Sequence, residues 1–143
     1  MRFLPWLILF VSACHSPDQS SSTTETAEEL QVPEDFVEFY ELFHSDSAYQ
    51  LAHIQWPLQG IPSNDSLRVP GFAFQAEDWS LHRVFDPAES GYRSEFEMMT
   101  EDLIIERIND REGRYGLVRR WLRNAASEEW MLIYYQQPMP LAG

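Results

Sequence analysis

Residues 36–58 read FVEFYELFHSDSAYQLAHIQWPL, a stripe of rings that passes into an extended run. Phe36, Phe39, Tyr40 and Phe43 fall at the i, i+3, i+4 and i+7 spacing of one helical face. Glu34, Glu38 and Glu41 take the opposite face. The preceding Val32-Pro33-Glu34-Asp35 suits a helix start. Proline fits the first helical position, and two acids complement the positive end of the dipole. Four rings in one stripe need an apolar surface to lie on, and a curved sheet supplies one. The helix breaks at His44-Ser45-Asp46. Ser45 is a candidate cap for a second short helix through Tyr49, Leu51 and Ala52. Pro57 then removes an amide, so Ile54 to Leu58 reads as a sheet edge or an extended run.

Beyond it the signals change from helix to strand. Gln59 to Pro70 reads as loop, Phe72 to Trp79 is ambiguous, and Asp86-Pro87 to Ser90-Gly91 is a turn. Phe96-Glu97-Met98-Met99 leads into a strand from Leu103 to Ile108, and Asn109 to Gly113 turns. Tyr115 to Arg123 alternates. Tyr115, Leu117, Arg119 and Trp121 share one face, and Val118, Arg120 and Leu122 share the other. Trp130 to Tyr135 is a final apolar strand, ended by Pro138 and Pro140. Helices first and strands after give an α+β chain. Its N-terminal helices are expected to pack on a strongly bent antiparallel sheet, making a cone with a mouth.

The N-terminus carries an address. Arg2 precedes the apolar run Phe3 to Val11, and Ser12-Ala13 are small, which is the layout of a secretory signal. The only cysteine, Cys14, follows directly. It leaves no internal disulfide and no cysteine metal cluster. Val11-Ser12-Ala13-Cys14 resembles a bacterial lipobox, which implies lipid on Cys14 and a membrane anchor without a spanning helix. His15 to Thr26, HSPDQSSSTTET, has no apolar side chain to bury and reads as a tether. The expected divisions are a signal peptide at 1–13, a Ser/Thr-rich tether at 14–31 and a single domain at 32–143.

The chain has 143 residues and a formal charge of −13, with all ten bases arginine. Without Arg2 the balance is 9 bases against 23 acids, or −14. Such a charge argues against nucleic acid and against anionic lipid as partners of the folded domain.

Taken together, Phe36-x-x-Phe39-x-x-x-Phe43-x-x-Asp46-x-x-Tyr49-Gln50-x-x-x-x-Ile54-x-Trp56-Pro57-Leu58 behind a lipobox and a Ser/Thr tether resembles a group of bacterial lipoproteins, domain-of-unknown-function family 4348. The resemblance spans about Phe36 to Tyr135, with the specific motif in the first stretch. His53 stands where that pattern usually has arginine, and Trp56 where it usually has phenylalanine. The resemblance implies the cone fold of nuclear-transport-factor-2-like proteins and an envelope location. It implies no activity.

No catalytic residue, cofactor or metal ligand is assigned. His44-x-Asp46 has the residue types of a base and its orienting carboxylate, or of two metal ligands, but no second pair follows. The ordinary reading is that Ser45 and Asp46 cap the next helix and that His44 ends the previous one, near the negative end of its dipole. Trp79-x-x-His82-Arg83 reads as a pocket mouth or as a packed tryptophan with two surface bases. Arg114, Arg119, Arg120 and Arg123 lie on one strand and suit either an anion or cross-sheet pairing with Glu97, Glu101, Glu106 or Glu129. The rings and bases available to line a cleft are Tyr40, Trp56, Trp79, His82, Trp121 and Tyr134. The expected function is a membrane-tethered, non-catalytic binding or interaction module, partnered by a small apolar ligand or an envelope protein. The alternative is a small isomerase or hydratase acting on an apolar substrate.

Overall fold

The structure, a computed structural model, describes residues 32–84 and 86–142. The expected signal segment, Cys14 and the tether lie outside them. The elements run α1 (Glu34–Ser45), α2 (Ser47–Ala52), β1 (Ile54–Ile61), β2 (Ala73–Phe74), α3 (Pro87–Ser90), β3 (Tyr92–Thr100), β4 (Leu103–Asp110), β5 (Tyr115–Arg123) and β6 (Trp130–Pro140).

The first helix forms as its spacing predicts, one residue later than expected. Pro33 holds the cap position, and its carbonyl accepts from the amides of Phe36 and Val37. Phe36, Phe39 and Phe43 are buried, while Leu42 on the far side is exposed. Of the two cap candidates for α2, Asp46 takes the position and Ser45 does not. The Asp46 Oδ1 accepts from the Tyr49 amide at 2.9 Å, and the Ser45 hydroxyl turns back to donate to the Glu41 carbonyl at 2.7 Å. Asp46 directly precedes α2, so its carboxylate reaches the amide of the third helical residue and also meets the positive dipole end.

The sheet has six strands in the order β2-β1-β6-β5-β4-β3. All neighbours are antiparallel except β1 and β6, which are parallel. Of the two readings of Ile54–Leu58, the extended strand holds and the sheet edge does not. β1 runs on to Ile61 and lies one strand in, with the two-residue β2 covering its free side. Pro57 is tolerated because the β1/β6 ladder is interrupted between Ile54 and Gln59, where no amide is needed. Gly60 permits the close approach, since a Cβ there would collide with the Tyr135 carbonyl and the Phe74 ring. β6 also exceeds expectation, continuing through Pro138 to Pro140. Its register against β5 shifts between Gly116 and Val118, so Pro138 falls in an irregular step.

Register shifts interrupt three of the five strand pairings. Each bends its strand and increases its twist, and the sheet curls over α1. The core lies in that concavity. Phe36 meets Trp130 at 5.1 Å between ring centroids, and Phe43 meets Trp121 edge-on at 4.9 Å. These tilted and edge-to-face geometries are those in which ring quadrupoles attract.

Candidate functional site

The inner face of β4 carries Ile104, Glu106 and Ile108, and that of β5 carries Leu117, Arg119 and Trp121. Glu106 and Arg119 are direct cross-strand partners, so the curl of the sheet buries an ion pair inside an apolar wall. The pair is bidentate. Arg119 Nε donates to Glu106 Oε2 at 2.8 Å, and Nη2 donates to Oε1 at 2.9 Å. Desolvating two charges is expensive unless every donor and lone pair is met. Here they are met. Arg119 Nη2 also donates to the Tyr40 hydroxyl at 3.1 Å. Its Nη1 donates to His44 Nε2 at 2.9 Å and to His82 Nδ1 at 3.3 Å. All five guanidinium N–H groups therefore have acceptors. On the other side, Glu106 accepts from Tyr40, Ser94 and the Trp121 indole at 2.7, 3.0 and 3.1 Å.

These contacts set the protonation of the floor. His44 Nδ1 donates to the Tyr40 carbonyl at 2.7 Å, leaving the Nε2 lone pair for Arg119. His82 receives Arg119 on Nδ1, so its proton sits on Nε2. Burial, and then the Arg119 cation, push His44 down to about 4 and His82 down to about 3, with His44 adding to the effect on His82. Both rings are neutral at neutral pH. His44 thus differs from a helix-end histidine at the surface, where the dipole would favour its cation. Burial, reinforced by Glu106, raises the Tyr40 phenol, which stays a donor. Burial alone would lower Arg119, but the Glu106 carboxylate reverses that and holds the guanidinium charged.

Gln50, buried in α2, holds the segment that carries His82. Its Nε2 donates to the Phe43 and His82 carbonyls at 2.7 Å each, and its Oε1 accepts from the His82 amide at 2.7 Å and the Trp79 indole at 3.1 Å. The loop after Trp79 is thereby tied to α2 and, through Gln50, to the end of α1. Between this loop and the sheet lies a cavity of about 400 Å³. That is within the usual small-molecule range of about 300–1,000 Å³. Leu81, Tyr92, Ile108, Leu117 and Pro138 form its apolar walls. His82, Arg119 and Tyr135 supply polar groups at its base, with Arg83 and Ser90 also lining it.

The sequence candidates divide. His82 lines the cavity, and Arg119 joins it to Tyr40 behind. Trp79 packs tilted against His82 at 4.5 Å and edge-on against Tyr135 at 5.5 Å, and it is not among the residues that line the cavity. Trp56 packs edge-on against Trp79 at 5.6 Å and donates to the Leu51 carbonyl. Trp121 is wholly buried and belongs to the core and the Glu106 network. Tyr134 is a correction. It lies on the other face of β6 beneath the Arg120 guanidinium, 4.3 Å from its ring centre, and its neighbour Tyr135 faces the cavity. Of the four arginines, Arg119, Arg120 and Arg123 lie on β5 and Arg114 just precedes it, and only Arg119 pairs with one of the glutamates expected for them. Arg114 pairs with Asp110 and Glu112, and Arg123 with Asp102 and Asp35.

Sequence reading gave Gln50 and Tyr135 no site role. It offered Glu106 only as one of four glutamates for cross-sheet pairing with these arginines. A signal was present, since Glu106 interrupts Ile104-x-x-x-Ile108 and Arg119 interrupts Leu117-x-x-x-Trp121 on faces otherwise apolar. Among the described residues, no three His, Cys, Asp or Glu side chains gather as a metal-holding group.

No protein-family model matches the chain. No curated protein matches it either. Solved structures do. A cystatin-like protein from Bacteroides caccae superposes with a TM-score of 0.54 at 22% identity, covering 74% of this chain and 77% of that one. An NTF2-like protein from Bacteroides fragilis superposes with a TM-score of 0.52 at 15% identity, covering 76% of this chain and 48% of that one. The chain spans about half the length of the second. At these identities the likeness is one of fold, and the fold is NTF2-like.

Proposed function

We propose that this chain is an envelope lipoprotein, anchored to a membrane through lipid on Cys14, whose cone binds a small molecule without turning it over. One observation carries the binding half: a cavity of about 400 Å³ with apolar walls over a base of fixed polar groups. Small-molecule sites have this composition, and the buried network under it is pre-organised by its own hydrogen bonds. The non-catalytic half rests on the same network. An isomerase or hydratase needs a general base with a free lone pair near the substrate. At this base the His44 Nε2 and His82 Nδ1 lone pairs already accept from Arg119, and Glu106 accepts five hydrogen bonds. The lipobox-like run and the resemblance to domain-of-unknown-function family 4348 support the envelope half.

Two experiments test the two halves. A thermal-shift screen of amphipathic ring compounds against the purified chain is expected to yield ligands that raise the melting point. A ligand at 100 times its Kd stabilises the folded state by about 2.7 kcal/mol. A broad screen that shifts nothing, with a protein partner co-purifying instead, would replace the cleft by an interaction surface. For the anchor, wild-type protein in a bacterial host is expected to incorporate labelled fatty acid and partition into detergent. Cys14→Ser should do neither. Labelling that survives the substitution would put the anchor elsewhere.

A further inference from the structure

The cavity has a polarity that the chain as a whole does not. The sequence has 23 acids against ten bases, yet the residues lining this cavity include two arginines and no acid. Their charges are not equivalent. Arg119 is neutralised by Glu106. Arg83 is exposed and forms no ion pair among the described residues, so it supplies one uncompensated positive charge at the cavity. The neutral groups beside it are donors. His82 carries its proton on Nε2, which has no partner among the described residues. Tyr135 is only 7% exposed, and its hydroxyl makes no hydrogen bond among them. Yet none of the described residues has a buried side-chain nitrogen or oxygen without a partner, so the Tyr135 hydroxyl is reached from the cavity it lines. The Tyr135 and His82 rings meet edge-on with centroids 4.8 Å apart, and both residues line the same cavity.

We propose that the cleft takes a small amphipathic monocarboxylate, its head group on Tyr135, His82 and Arg83 and its apolar body along Ile108, Leu117 and Leu81. This rests on the reading of the cavity as a binding site and adds the charge of its ligand. A cation would face the unpaired Arg83 guanidinium and find no carboxylate in the lining. A neutral apolar ring would leave the Tyr135 hydroxyl and the His82 N–H without water or partner, which costs affinity. A single carboxylate accepts from both and matches the one free charge. Its hydrogen bonds are stronger than those of a neutral acceptor.

Calorimetric titration of the purified full chain with phenylbutyrate and octanoate, each beside its primary amide, tests this. The acids are expected to bind at least about tenfold more tightly than the amides, the difference a charged hydrogen bond makes. Added salt should weaken the acids alone. Arg83→Gln should cost the acids about tenfold and leave the amides unchanged. Tyr135→Phe should cost about fivefold to tenfold. Neither polar group has a partner within the described fold, so both variants should keep the wild-type melting point. Acid and amide binding equally would overturn the carboxylate proposal and leave the binding cleft standing. Acids that bind both variants as tightly as wild type would move the site elsewhere. If no member of either pair binds, while the ring-compound screen yields ligands, the proposal alone falls. If both experiments are blank, the cleft falls with it.

Discussion

Glu106→Ala is expected to lose about 3–5 kcal/mol of folding stability, the usual cost of removing one partner from a buried ion pair. The substitution strands the Arg119 guanidinium inside the cone. It also leaves the Tyr40, Ser94 and Trp121 donors without their shared acceptor. Against a total stability of about 5–15 kcal/mol for an ordinary domain, this brings the chain close to unfolding. Urea titration followed by tryptophan fluorescence measures it, because Trp121 touches the lost carboxylate. The companion experiment is Glu106→Leu with Arg119→Met. Removing both charges and filling the space should recover most of the loss, since apolar replacements of buried pairs are often neutral or stabilising. An unchanged urea midpoint for Glu106→Ala would mean that water reaches the guanidinium. A double variant no better than the single would mean that the charges are needed for the fold itself.

Phe39→Ala is expected to cost about 3–5 kcal/mol as well, by a different route. Phe39 is the ring through which α1 grips several neighbours at once. Its centroid lies 5.6 Å from those of Phe43 and Trp121 and 6.1 Å from that of Tyr49. Deleting it leaves a void where helix meets sheet. Leu42→Ala on the solvent side of the same helix is the control, since Leu42 is 48% exposed. It should change stability by no more than about 0.5 kcal/mol. Thermal unfolding of both variants decides the matter. Equal, small losses would place the aromatic stripe at a surface and make it a binding patch.

Features that depend on local period were legible in the residues alone. A stripe of rings at helical spacing has one stable use, and α1 lays it on the sheet. Alternation over Tyr115 to Arg123 assigned the two faces of β5 correctly, because strand geometry turns successive side chains to opposite sides. It also put Arg119 on the same face as Leu117 and Trp121. What that arginine would meet there could not be read, since its carboxylate lies 13 positions earlier and its imidazoles come from α1 and the loop after Trp79.

The remaining features arise from pairing between distant segments. β1 reads as an edge strand because Pro57 lacks an amide. Only its register against β6, broken where Pro57 sits, lets it lie inside the sheet. His44 sits where a helix end would meet solvent, and it is buried because the His82 loop closes over it, tied down by Gln50. The choice between Tyr134 and Tyr135 is the clearest case. Strict alternation from Trp130 and Leu132 carries Tyr134 inward. In β6 the partner of Trp121 is Leu132 and that of Arg120 is Tyr134, so Ile133 is an extra residue without a partner. One inserted residue reverses the parity of everything after it. Tyr134 therefore turns outward under Arg120, and Tyr135 brings its hydroxyl to the cavity. A bulge is a property of two strands together, and neither sequence segment alone contains it.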